Sequence, residues 1–134
     1  MAHFNIGARE AVIASFARTP IGKAYRGAFN DTGAPALAGA AIAAAVERAG
    51  IDGAEVDDCV MGCAMPQGSS GLNIGRSGAL AAGLPVSVSG MTLDRQCSSG
   101  MMAIATAAKQ IVADGMTTVV GGGVESISLV QNEH

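Results

Sequence analysis

Aromatic side chains are almost missing from these 134 residues: there is no Trp, one Tyr and three Phe, 3% of the chain. That leaves little material for stacking the bases of a single-stranded nucleic acid. Basic residues are sparse as well, eight Lys and Arg against eleven Asp and Glu for a net charge of −3, and they form no stripe along a phosphate backbone. No nucleic-acid partner is expected. Arg18, Lys23 and Arg26 do gather in one stretch, which reads as a solvated or interface loop rather than an anion contact. Three cysteines, Cys59, Cys63 and Cys97, make no disulfide framework, so a reducing compartment is expected, with the cytoplasm the simplest location. Long apolar runs are lacking too. The most apolar stretch, residues 34–46, is shorter than the ~20 residues of a membrane span and is built of small side chains. No membrane segment is expected, and Arg9 and Glu10 ahead of a short, interrupted apolar run make no signal-peptide pattern.

What the chain does have is glycine, alanine and an alternation of strand-like and helix-like segments. Residues 11–16, 58–64, 86–93 (with Val86, Val88, Met91 and Leu93) and 117–121 read as strands. Residues 36–49 read as a helix with Leu37, Ala40, Ala41, Ala44 and Ala45 on a small-residue face and Gly50 as its stop. A short helix is expected over 74–82, closed by Gly83 and Pro85, and another over 101–112. This order predicts an α/β fold, a mainly parallel sheet with helices on both faces, in one domain spanning residues 1–134. In the last helix Met101, Met102, Ala103, Ile104, Ala105, Ala107, Ala108, Ile111 and Val112 run around the whole circumference. Such a helix needs cover on several sides, more than a chain of this size supplies, so a partner surface and a homo-oligomer are expected.

The stretch most suggestive of chemistry is Asp94-Arg95-Gln96-Cys97-Ser98-Ser99-Gly100, which sets a cysteine on a sharp turn between strand and helix. Ser98 and Ser99 are placed to cap the helix by accepting from its free N–H groups, and Gly100 allows close backbone approach. The positive end of a helix favours a thiolate over a thiol, which suits a nucleophile, and Arg95 is a second candidate cation. Spacing alone leaves open the alternative that Cys97 is a small buried hydrophobe. Cys59 and Cys63, four apart on a strand, share a face, but two thiols fall short of the four ligands of a closed zinc site. His3 and His134, at the two ends, are poor candidates to complete one, so no metal is expected and both cysteines read as structural. Gly121, Gly122 and Gly123 precede no Gly-Lys-Ser/Thr and fit no dinucleotide fingerprint. They read as a tight turn behind the nucleophile rather than a phosphate cradle.

The heptad around Cys97 resembles the thiolase nucleophile motif, commonly Asn-Arg-X-Cys-X-Ser-Gly, with Asp94 where Asn is more usual. Upstream, Arg18-Thr19-Pro20-Ile21-Gly22 and Gly27-Ala28-Phe29 resemble the loop after the first thiolase strand, and Gln67-Gly68, Asn73, Arg76 and Ala82-Gly83-Leu84-Pro85 follow the family's order. Downstream, Gly121-Gly122-Gly123-Val124-Glu125-Ser126 resembles its Gly-Gly-X-Glu-Ser segment, one glycine longer. The resemblance implies the N-terminal portion of a thiolase, first half of a layered αβαβα architecture, without the loop region and the C-terminal domain. It implies that Cys97 forms an acyl-enzyme from acyl-coenzyme A, in 3-ketoacyl-coenzyme A thiolysis or acetyl-coenzyme A condensation. Coenzyme A and acyl-coenzyme A are then substrates, no cofactor is covalently bound, and the assembly is a dimer or tetramer. The histidine, asparagine and second cysteine of the family's other half have no counterpart here, so the isolated chain is expected to be inactive. Three alternatives stand beside this reading: a ketoacyl-synthase-type condensing enzyme, a truncated self-associating module, and one subunit of a split enzyme.

Overall fold

A computed structural model describes residues 9–131. In chain order it contains helix α1 (Ala34–Ala49), strand β1 (Asp58–Gly62), helix α2 (Ile74–Ala81), strand β2 (Ser89–Leu93), helix α3 (Ser99–Ala113), strand β3 (Val119–Gly123) and a single turn of helix, α4 (Ile127–Val130). The strands form one parallel sheet in the order β2-β1-β3, with Gly62 level with Leu93 on one side and Gly123 on the other. The chain steps from β1 outward to β2, then crosses back over β1 to β3. Right-handed crossovers in opposite directions require helices on opposite faces, and the packing agrees. Along β1, Cys59 and Met61 join Ala34, Ala38, Ile42, Ile74 and Ala79 of α1 and α2 in the main core, whereas Asp58 bonds to Gln110 of α3 and Gly62 backs onto its first residues. The sheet is therefore covered on both faces, as the alternation predicts.

Local chemistry accounts for the helix ends. Pro35 sits in the first turn of α1, where its missing N–H costs nothing, and Gly50 closes the helix in the left-handed region at φ 69°. At α2, the Asn73 side chain accepts from the Arg76 N–H and donates to the Gly90 carbonyl at 2.7 Å. The Thr92 hydroxyl donates to the same Asn73 oxygen and accepts from Gly75 N–H, so the start of α2 is stitched to β2.

Several elements differ from their expected form. Residues 11–16 form no strand: they pair with none of the three strands of the described sheet, and Val12, Ile13 and Phe16 are each about 80% exposed. They are tied instead to α1, through Ser15 Oγ to the Ala45 carbonyl and Arg48 to the Phe16 carbonyl. β2 begins at Ser89 rather than residue 86, because the Val86 and Val88 carbonyls are occupied by the Arg76 guanidinium in a turn. β1 stops at Gly62, two residues early, and β3 covers Val119–Gly123, two residues later than expected. Helix α1 turns inward Ala34, Ala38, Gly39 and Ile42, not the Ala40 side. An alanine-rich helix is apolar all round, and Gly39 decides its face because a Cβ there would strike Ala81 of α2. Helix α3 is buried along only one narrow side, at Ser99, Ala103 and Ala107, leaving Met101, Ile104 and Val112 exposed. No helix among the described residues is long and apolar enough to cross a membrane.

Candidate active site

The C-terminal ends of β1, β2 and β3 point the same way, and the loops that leave them meet around Cys97. That edge is where open parallel sheets place their binding crevices. Between β2 and α3 the chain makes a turn wound about two side chains. The Asp94 carboxylate accepts from the Gln96 N–H at 2.7 Å, and the Ser99 hydroxyl accepts from the Arg95 N–H at 2.8 Å while donating to the Gln96 carbonyl at 2.6 Å. Gln96 is thereby held at φ 51°, a left-handed conformation that costs a non-glycine residue on the order of 1–2 kcal/mol. Its carbonyl turns inward to Ser99, which is 3% exposed, and Cys97 is left at the outer apex, exposed.

The expected serine cap is thus corrected. Ser98 is the N-cap residue but its side chain makes no capping bond, and Ser99 spends its hydroxyl inside the turn rather than on the helix N–H groups. What fixes the start of α3 is a seam of glycines. A Cβ on Gly62 would fall inside the Ser99 and Gly100 backbone, one on Gly123 would come to 2.9 Å from the Gly100 Cα, and one on Gly121 to 2.9 Å from the Ile104 Cα. Gly121 and Gly123 lie in a strand, not a tight turn, although their close approach to the start of α3, behind Cys97, is as expected.

Cys97 opens on a cleft of about 500 Å³ whose floor is this seam and whose walls include Ala64, Met65, Gln96, Glu125 and Ile127. Glu125 stands at its rim: one carboxylate oxygen accepts from the Ala64 N–H, and the other faces the Cys63 thiol at 3.7 Å. A second groove of about 580 Å³, along Ile13 to Phe16 beside Arg48, has no cysteine in its lining, and the Ser15 hydroxyl there donates to the Ala45 carbonyl. Sequence reading named Cys97 but passed over Glu125, seen only as part of a glycine-rich segment. An acidic residue just beyond the end of a parallel strand was the available signal.

The other thiols sit apart from this chemistry. Cys59 and Cys63 are fully buried in the main core, on the shared face that their spacing required. Burial, reinforced by the Asp58 charge, pushes the Cys59 thiol up to about 12. Burial, with the Glu125 charge adding to it, also raises Cys63. Both stay protonated at neutral pH. Arg18, Lys23 and Arg26 are exposed, as a solvated loop would be, and His3 and His134 lie outside the described residues.

Residues 11–134 match the family model described as "Thiolase, N-terminal domain". A 3-ketoacyl-CoA thiolase of Bacillus subtilis is 41% identical over 122 residues, which are 91% of this chain and 31% of that protein. A beta-ketoadipyl-CoA thiolase of Pseudomonas aeruginosa is 43% identical over 121 residues, 90% of this chain and 30% of the relative. The crystal structure of the Bacillus anthracis acetyl-CoA acetyltransferase superposes with a TM-score of 0.84 at 41% identity, covering 90% of this chain and 30% of that one. The chain thus spans about 30% of the length of these relatives.

Proposed function

The chain belongs to the thiolase family, and from that premise we propose that it is the nucleophile-bearing portion of an acyl-coenzyme A acyltransferase, with Cys97 as the acyl acceptor. The observation that carries this reading is the contrast among the three thiols: Cys97 is exposed at the apex of a constrained turn, at a helix start and on a cleft, while Cys59 and Cys63 are buried. In the proposed step the Cys97 sulfur, as thiolate, attacks the carbonyl carbon of an acyl-coenzyme A. The tetrahedral centre collapses, its bond to the coenzyme sulfur breaks, and coenzyme A leaves as a thiolate that takes a proton. The Cys97 backbone N–H at the helix start donates to the developing oxyanion. In condensation the acyl group then passes to the enolate carbon of a second acetyl-coenzyme A, and the Cys97 thiolate is released. In thiolysis Cys97 instead attacks the ketone carbon of a 3-ketoacyl-coenzyme A and the bond between that carbon and C2 breaks. Acetyl-coenzyme A leaves as an enolate that takes a proton, and the acyl group passes to the thiolate of a second coenzyme A. Coenzyme A and its thioesters are substrates in this scheme. Three free cysteines support a reducing compartment, and the cytoplasm is the proposed location.

A short thioester, S-acetyl-N-acetylcysteamine, tests the nucleophile without asking for a coenzyme site. Peptide mass spectrometry should find the acetyl group on Cys97 and none on Cys59 or Cys63, and Cys97→Ser should remove it. Acetylation of either buried cysteine in the folded chain, or of none of the three, overturns the assignment. Thiolysis of acetoacetyl-coenzyme A by the purified chain should be undetectable, because the acid–base groups that the family resemblance implies have no counterpart in these residues. Measurable turnover, free of host thiolase, would show that they are not required.

A further inference from the structure

The way β1 and β3 part company gives Glu125 a role. In a parallel pair the bonds along one edge repeat every second residue. Gly62 is level with Gly123 and its carbonyl accepts from the Val124 N–H at 3.0 Å, so the next N–H on that edge of β1 is Ala64 and its regular acceptor would be the Val124 carbonyl. Ala64 N–H goes instead to the Glu125 side chain. A side-chain oxygen has replaced a main-chain one, and the ladder ends there. The Cys63 thiol, facing the second carboxylate oxygen from the core, limits the rotamers open to it. Ala64, Glu125 and the strand ends between them are walls of the cleft that holds Cys97.

We infer that Glu125 is a positioning residue: by taking the place of a backbone carbonyl opposite Ala64 it keeps the ends of β1 and β3 apart and so shapes the opening through which an acyl thioester reaches Cys97. The inference rests on the acyl-acceptor reading only for the identity of the substrate; the strand geometry stands apart from it. The function required of Glu125 is hydrogen-bond acceptance, which an amide oxygen also supplies. Glu125→Gln should therefore preserve the opening, and Glu125→Ala should lose it.

The test compares the parent chain with both variants in two reactions at Cys97. Iodoacetamide, which needs only an exposed thiol, should label Cys97 at rates within twofold in all three. Acetylation by S-acetyl-N-acetylcysteamine should fall at least tenfold in Glu125→Ala and stay within threefold of the parent in Glu125→Gln, a split that a loss of stability alone would not produce. Equal acetylation of the alanine variant and the parent overturns the inference, as does a glutamine variant that falls as far as alanine, since charge would then be the operative property. If Cys97 is acetylated in none of the three, the acyl-acceptor reading fails by itself. Hydrogen exchange at the Ala64 amide then decides: protection lost only in the alanine variant upholds the role, and protection unchanged overturns it. Should Glu125→Ala fail to fold, seen as iodoacetamide labelling of Cys59 and Cys63, Glu125→Asp takes its place, one carbon too short to reach Ala64, with the same outcomes expected.

Discussion

At Asp57, immediately before β1, one carboxylate oxygen accepts from the Thr117 N–H at 2.7 Å, the Thr117 hydroxyl at 3.0 Å and the Thr118 N–H at 3.1 Å, binding the start of β1 to the start of β3. The Thr117 backbone bond, then that of Thr118, holds this carboxyl below its ordinary value. A carboxyl with a lowered folded-state value stabilises the fold fully above the unfolded-state value, about 3.9, and progressively less as pH falls through the lower folded one. Asp57→Asn should therefore melt at a lower temperature than the parent at pH 7, and the gap between the two should narrow only below about pH 4. Melts at pH 7, 5 and 3 check this. A gap that stays constant down to pH 3 would mean the charge plays no part. Cys97 also belongs to this scale: its neighbours Gln96 and Ser99 place it with dihedral angles and hydroxyl bonds rather than with bulk, so Ser99→Ala should slow its acylation while leaving α3 intact by circular dichroism.

Among the elements, glycine divides into two kinds. Gly50 ends α1 in a left-handed conformation with open space around it, so Gly50→Ala should cost about 1 kcal/mol. Gly62 has an ordinary conformation and no room at all, so Gly62→Ala must push α3 off β1 and should cost on the order of 3 kcal/mol or more. Urea melts of the two variants test the order. The same distinction explains how much could be read in advance. The parallel α/β plan, the helices and the strand-to-helix turn that carries Cys97 were legible because alternation, capping glycines and the heptad 94–100 are local patterns. β3 was placed two residues early because Gly121, Gly122 and Gly123 have poor strand propensity, and their place in the sheet is set by the nearness of α3, which no local pattern records. Residues 11–16 have the composition of a strand, but a strand exists only where a neighbour pairs with it. The left-handed Gln96 gave no local signal either, and Glu125 gave only that of an acidic residue past a strand end, its reach to Ala64 being a consequence of where the strand ends meet.

For the whole molecule, the open face of α3 is the main liability. Met101, Ile104 and Val112 are 71%, 48% and 51% exposed, outside the narrow buried side of the helix at Ser99, Ala103 and Ala107. At ~25 cal/mol per Å² of apolar surface, covering a few hundred Å² gains several kcal/mol, a large part of the ~5–15 kcal/mol that holds a domain folded. We expect the chain to associate, and Met101→Lys to shift it toward monomer without loss of helix. Sedimentation over a dilution series tests this, and a sharply melting monomer at every concentration would show that the face tolerates water. The seam under that helix bears on how such a molecule can change over time. Where Gly62, Gly100 and Gly123 meet, main chain rests on main chain with no side chain between, and Gly121 lies against the Ile104 backbone and the Ala107 methyl. Substitutions among the core residues of α1 and α2, on the far face of the sheet, have no rotamer through which to disturb the sulfur. On the acyl-acceptor proposal, wall residues such as Met65 and Ile127 can then change while the turn that carries Cys97 keeps its seat on glycine backbone, a separation of inheritance from innovation written into missing side chains.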